Sequence, residues 1–250
     1  GAASGAEEPR TTIPTVGPLI GKLSVAGLSL ELEEAYALGL FVERVELLRD
    51  WMLRRRASRQ VSAGSGKEGE GALAAEASAL PDCSSVAREV FRVLDRDGAL
   101  RDLPELREIK RRIQSLHREL DSITARYTGS EDTRRMLQSD VPSQRDGRIV
   151  LAVKANFRGR IKGIVHEVSS TGQTVFLEPE DVVEKNNEIL IEGRRLDAEI
   201  ARILRELTAR IAESAPALAE LHRKVLRLEG LRARARYGRE TRGVYALEGS

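Results

Sequence analysis

The feature that most restricts the fold is a run of apolar residues at alternating steps of three and four: Leu106, Ile109, Ile113, Leu116, Leu120, Ile123 and Tyr127. A strand cannot use that period, because its side chains switch faces at every residue. An α-helix gathers such positions into one seam that a second helix must cover. A matching pattern lies downstream, first at Leu196, Ile200, Ile203 and Leu207, then at Leu218, Leu221, Val225 and Leu228. The step from Leu207 to Ile211 follows another step of four and shifts the seam. Pro216 removes a backbone donor, so a kink or break is expected near Ser214. Asp102 and Pro104 stand where an N-cap and a first-turn proline belong, and Gly129 weakens the helix that follows. Pro142 is expected to end whatever helix continues through Met136 and Leu137. The second arm is read as starting at Glu178-Pro179-Glu180-Asp181, where carboxylates complement exposed N–H groups. If it ran unbroken from Val182 to about Tyr237 it would extend roughly 80 Å. It would then lie beside the first arm or protrude.

Between the arms the period changes. Ile149, Leu151 and Val153 alternate with Val150, Ala152 and Lys154, and Ile161 to Val168 and Thr174 to Leu177 are further strand-like runs. Ser169-Ser170-Thr171-Gly172 reads as a hairpin turn and Asn156 to Gly159 as another loop, giving three or four antiparallel strands. This insert is basic. Arg145, Arg148, Lys154, Arg158, Arg160 and Lys162 face one acidic neighbour, Asp146, in a chain whose formal net charge is +2. Concentrated positive charge on a near-neutral chain points to a polyanion, most simply nucleic-acid phosphate. Lys154, Arg158, Arg160 and Lys162 flank one turn and are the leading candidates. Arg145 and Arg148 rank second, since either can pair with Asp146 or with the second arm. The competing reading is a solvated sheet edge whose cations prevent edge-to-edge pairing. Little aromatic material is available for stacking, so binding is expected to ignore sequence. Four phosphate contacts would lower log affinity by about 3.6 per tenfold rise in salt.

Composition agrees with helices bathed in solvent rather than with a compact enzyme core: 32% of residues are charged and 4% aromatic. A single cysteine, Cys83, fits a reducing cytoplasm, and no apolar run reaches the roughly 18 to 20 residues of a membrane span. The opening GAASGAEEP lacks an initiator Met and reads as loop, so a piece of a longer protein is expected. Residues 1–27 are expected to be irregular, with a short helix around Leu19 to Leu23. Residues 28–101 form a helical core, with Ser29 capping a helix from about Leu30 to Arg56 that turns Leu32, Tyr36, Val42, Val45, Leu48 and Met52 inward. Within it, 57–79 is a Gly/Ala/Ser-rich flexible loop with room for one short helix, and 82–100 resumes a helical pattern ending at Gly98. The remaining divisions are a first arm at 102–144, the β insert at 145–178, a second arm at 179–240 and a tail at 241–250.

Several motifs have plainer readings. Gly64-Ser65-Gly66-Lys67 lacks the first Gly of a phosphate loop, has Glu68 in place of the Ser or Thr, and reads as linker. Phe41-Val42-Glu43 resembles the Phe-x-Glu wedge of mismatch-repair proteins but lies in a helical pattern, where packing is the better reading. Glu178, Glu180 and Asp181 read as a helix start rather than metal ligands. His117, His166 and His222 fall in separate elements, with His166 a sheet residue whose polar tip is satisfied. No catalytic residue is assigned, and nothing suggests an activated Cys83.

The stretch RDGRIVLAVKANFRGRIKGIVHEVSSTGQTVFLEPEDVVEKNNEI, from Arg145 through the paired Asn186-Asn187, closely resembles the clamp and adjoining lever of the second bacterial MutS lineage, the MutS-II endonuclease family. Weaker likeness extends from about Thr12 to Gly238, and His166-Glu167 stands where His-Asp is common. The resemblance implies a mainly α (α+β) fold: a MutS-like helical core and long lever helices with a small antiparallel β clamp. It also implies a cytoplasmic, homodimeric, DNA-binding ATPase that suppresses recombination, with ribosome splitting and rRNA contact the alternative in some bacteria. ATP and Mg would serve an ATPase domain, and cleavage a C-terminal Smr domain, neither of which the resemblance finds in this chain. Family catalytic residues therefore have no positions here, and the chain reads as a non-catalytic core, lever and clamp. The remaining alternative is a purely structural dimerisation arm.

Overall fold

Pro104 opens a helix because its fixed φ suits the first turn and its missing N–H would be unsatisfied there anyway. We determined the architecture from a computed structural model that describes residues 12–25, 27–60 and 75–240. Along the chain run α1 (Gly17–Leu23), α2 (Leu32–Gln60), α3 (Ser84–Val93), α4 (Pro104–Gly129) and the short α5 (Glu131–Arg134). Four strands follow: β1 (Ser143–Arg145), β2 (Arg148–Lys154), β3 (Gly163–Val168) and β4 (Thr174–Pro179). The chain then forms α6 (Glu180–Ala212) and α7 (Ala215–Glu240). The fold is mainly α with one small antiparallel sheet, as the sequence indicates. Contacts divide it into two compact units, Asp102–Arg202 in one and the segments up to Arg101 and from Ile203 in the other. The division falls inside α6 rather than at a loop.

In the unit built from both ends of the chain, α2 and α3 meet closely. A Cβ added to Gly39 would lie 2.7 Å from Val90 Cγ1. Leu30, Leu38, Phe41, Leu94, Leu207, Ile211, Leu218 and Leu221 are all buried there. Phe41 sits 6.0 Å from the ring of His222, centroid to centroid, and Phe41 and Val42 are core while Glu43 pairs with Arg96, so the motif packs a helix face and is no wedge. Ser29 does not cap α2. Its hydroxyl turns to the Leu30 carbonyl, while the Glu34 carboxylate accepts the Glu31 N–H, half of a capping box one turn into the helix. The helix also runs on to Gln60 and residues 75–78 are helical, so only the middle of the expected 57–79 loop, with Gly64 to Lys67, lies outside the described residues. The helix breaks at Glu213-Ser214, as expected, and Pro216 sits in the first turn of α7, where its missing N–H costs nothing.

In the unit Asp102–Arg202, the seam of α4 is buried at Leu106, Ile109, Leu116 and Leu120. Ion pairs Arg112–Glu188, Lys185–Glu119 and Arg126–Asp181 run between α4 and α6 in antiparallel order. Asp102 is not the N-cap. Leu103 holds that position without a side-chain bond, and Asp102 instead pairs with Arg107 at 3.0 Å. Nor does helix continue to Leu137. After α5 the chain turns extended, Leu137 bridges Val153, and Gln138 N–H reaches the Ala152 carbonyl. An isolated apolar pair after a four-residue helix gains more by joining a sheet core than by extending the helix.

The strands order β1-β2-β4-β3, every neighbouring pair antiparallel. β2 and β3 are therefore parallel to each other, and residues 155–162 must cross a face of the sheet to connect them. The loop expected at Asn156 to Gly159 is present, but it belongs to a crossing rather than to a turn between neighbouring strands. Ala155–Phe157 form a 3-10 turn, and Gly159 takes a φ of 95° that an L side chain rarely adopts. Ile161 then inserts beside Leu137, Leu151, Val153 and Leu177, with Phe157, Tyr127, Met136 and Val165 packed around them. The crossing segment is a strap pinned by Phe157 and Ile161.

Candidate nucleic-acid interface

Two apolar anchors decide where the strap's cations go. With Phe157 and Ile161 turned to the sheet, Arg158, Arg160 and Lys162 are all exposed. Among the described residues none of the three has an ion pair or a side-chain hydrogen bond. Arg160 and Lys162 also border a shallow hollow with Tyr127, Thr133, Glu180 and Asp181. Asp181 is occupied there by Arg126 at 3.0 Å and by the Tyr127 hydroxyl at 2.7 Å. Burial, the Asp181 hydrogen bond and its charge together push the Tyr127 phenol up to about 12.

Lys154 lies at the end of β2 and is half-buried. Its Nζ donates to the Arg135 carbonyl at 2.9 Å and so holds the preceding segment. Arg145 and Arg148 belong to the opposite face. The Arg145 guanidinium lies 3.8 Å from the Phe176 ring centroid and bonds Glu167 at 2.5 Å. Arg148 donates to Glu178 at 2.8 Å and to Asn187 at 2.6 Å. The six basic residues singled out by sequence thus separate into three free on the strap, one tethered and two matched to carboxylates, Glu167 exposed and Glu178 buried.

Glu178 is not a helix-start carboxylate. It ends up in β4, fully buried, because the chain stays extended through Pro179. Its oxygens receive Arg148 Nη1, Asn186 Nδ2 at 2.8 Å and His166 Nε2 at 2.6 Å. Burial alone raises the Glu178 pKa and is the largest single influence. The bonds from Asn186, His166 and Arg148 together outweigh it, and the carboxyl is held below its ordinary value. Asn186 also bonds the backbone of Ile149 twice, accepting its N–H and donating to its carbonyl, each at 3.0 Å. Sequence reasoning noted Asn186 only as part of a pattern, since its partners lie 37 and 8 residues away.

The chain is 30% identical to endonuclease MutS2 of Thermotoga neapolitana over 95% of its own length and 30% of that relative. It is 32% identical to the Thermotoga petrophila endonuclease MutS2, over 88% of this chain and 27% of the relative. For the Pelotomaculum thermopropionicum endonuclease MutS2 the figure is 35%, over 65% of this chain and 21% of the relative. The chain belongs to the MutS2 family. It spans less than a third of the MutS2 relatives just named, so it matches one region of them. No family model matches it.

Within this MutS2 region the described residues show no group of three or more His, Cys, Asp or Glu side chains placed to hold a metal ion. No described helix is long and apolar enough to cross a membrane. The Cys83 thiol is buried and pushed up to about 11, first by burial and then by Asp82, Glu46 and Glu220. That moves it away from the thiolate form a nucleophile needs.

Proposed function

We propose that the strap between β2 and β3 grips nucleic-acid backbone without reading its bases, and that Arg158, Arg160 and Lys162 make the principal phosphate contacts. The observation that supports this most is the partition of charge on the sheet: the cations on the strap have no carboxylate partner, whereas those on the other face do. Cations meant only to blunt an edge strand would be expected along the free edge of β3, whose exposed residues include Ile164 and Val168. Lys154 supplies a further charge at the end of the strap, while Arg145 and Arg148 serve the fold. The MutS2 relatives are named endonucleases, and a backbone grip in one region suits an enzyme of that class. In the whole protein, a homodimer with an ATP-driven domain would move the lever helices and so load or release the strap.

The test is retention of labelled duplex DNA by the chain and by an Arg158→Glu/Arg160→Glu/Lys162→Glu variant. Loss of binding in the variant, with Arg145→Gln binding like wild type, supports the reading. Equal binding by wild type and the triple variant would remove it. Structured RNA run in parallel reports whether the grip favours duplex DNA or RNA.

A further inference from the structure

Buried polar side chains are few among the described residues: Thr124, Glu178, Asn186 and Thr208. Both threonines return a bond to a carbonyl one turn back in their own helices, Leu120 and Leu204. Thr208 also accepts the Leu30 N–H at 3.0 Å, but only Glu178 and Asn186 of these four bond each other, and both also reach further elements. An apolar contact between α6 and the sheet would avoid the desolvation of a carboxylate and an amide. Apolar contacts are non-directional, however, and hydrogen bonds are not.

We propose that Asn186 and Glu178 form an orienting joint that sets the angle between α6 and the sheet, and that Asn186 is its positioning residue. β4 passes into α6 at Pro179-Glu180 without a linker. A single covalent junction of that kind leaves rotation about the chain open. Asn186 lies six residues into the helix, about 9 Å along its axis. There it fastens α6 to β2, the neighbour of β4 in the sheet. Two fixed points on adjacent strands remove the rotation. Arg148–Asn187 and Arg148–Glu178 close the same ring from the β2 side, and a Cβ on Gly147 would meet Leu190 of α6 at 3.3 Å. Movement of α6 then carries the sheet with it as one body, whether or not the strap binds nucleic acid.

The experiment measures distance distributions by electron-spin resonance in the chain with Cys83→Ala. One label pair joins Thr171 in the exposed β3–β4 turn to Ile191, which is 63% exposed on α6. A control pair, Gln144 in β1 and Thr171 in the β3–β4 turn, spans the sheet without touching α6. For Asn186→Leu the Thr171–Ile191 distribution should broaden about twofold while the control pair is unchanged, as expected for freed rotation of an intact sheet. Asn186→Ser, which leaves room for water, should do the same. Thr171–Ile191 widths equal to wild type in both variants overturn the proposal. Loss of the control distance in both also overturns it, because Asn186 would then be needed for the sheet itself rather than for its orientation.

Discussion

Asn186 stands in for a β-strand against Ile149. The register of β2 on β4 pairs Leu151 with Leu177 and Val153 with Val175, so one more pair would set Ile149 opposite Pro179. Proline has no N–H to give, and the chain turns into α6 there. The Asn186 carboxamide supplies both the acceptor and the donor that the ladder lacks. Replacing it with alanine leaves two backbone groups and one carboxylate contact unmet, at a cost of about 2–4 kcal/mol. Amide hydrogen exchange should show faster exchange at Ile149, with Leu151 and Val153 still protected by β4. Equal protection of Ile149 in the variant would show that its bonds lie elsewhere.

Glu178 links the sheet's stability to acid. Its folded pKa is depressed, so its contribution is present above the unfolded value of about 4.3 and is lost as pH falls through the folded value. The chain should therefore lose stability progressively on acidification below about pH 5. Glu178→Gln should be less stable than wild type at neutral pH, and the difference should narrow toward pH 2. A difference constant across that range in denaturant titrations would mean that the carboxylate charge is irrelevant.

Gly163 permits no side chain. A Cβ there would lie 2.1 Å from the Glu178 carbonyl oxygen and 2.8 Å from its carbon, both backbone atoms that cannot swing aside. Gly163→Ala must push β3 away from β4 and disturb the Glu178 carboxylate one bond network further on. We expect a loss of about 3 kcal/mol or more, larger than a surface glycine replacement warrants. Gly129→Ala, where nothing lies within 4 Å, is the matched control and should be near neutral. Equal stability of the two variants by urea unfolding would contradict this packing.

Tyr127 ties the end of α4 to the start of α6 through Asp181. Its folded pKa is raised, so its contribution is full below about 10 and is lost as pH rises toward about 12. Absorbance titration should show a tyrosine ionising near about 12, and Asp181→Asn should bring it down. A Tyr127→Phe chain with the unaltered late ionisation would show that another tyrosine is responsible.

The helices were legible because a period of 3.5 is a local signal, and the seam from Leu106 to Leu120 is buried as that period requires. The strands were legible for the same reason. The strap was not, because Phe157 and Ile161 bracket only a few residues and show no periodicity, and strand order depends on pairings that no short window contains. Arg148 was expected to pair with Asp146 or the second arm, but its buried partner Glu178, 30 residues away, looked like a helix start. Pro179 marks the end of a strand as well as the threshold of the helix that begins, as expected, at Glu180.

The salt dependence of DNA binding is the most direct measurement of the strap's role. With Arg158, Arg160 and Lys162 each neutralising one phosphate, the slope of log affinity against log salt should be about −2.7, rising to about −3.6 if Lys154 takes part. Each charge-removing substitution on the strap should reduce the slope by about 0.9, while Arg145→Gln leaves it alone. A slope unchanged by the strap substitutions, or one lowered by Arg145→Gln instead, would place the grip somewhere else on the molecule.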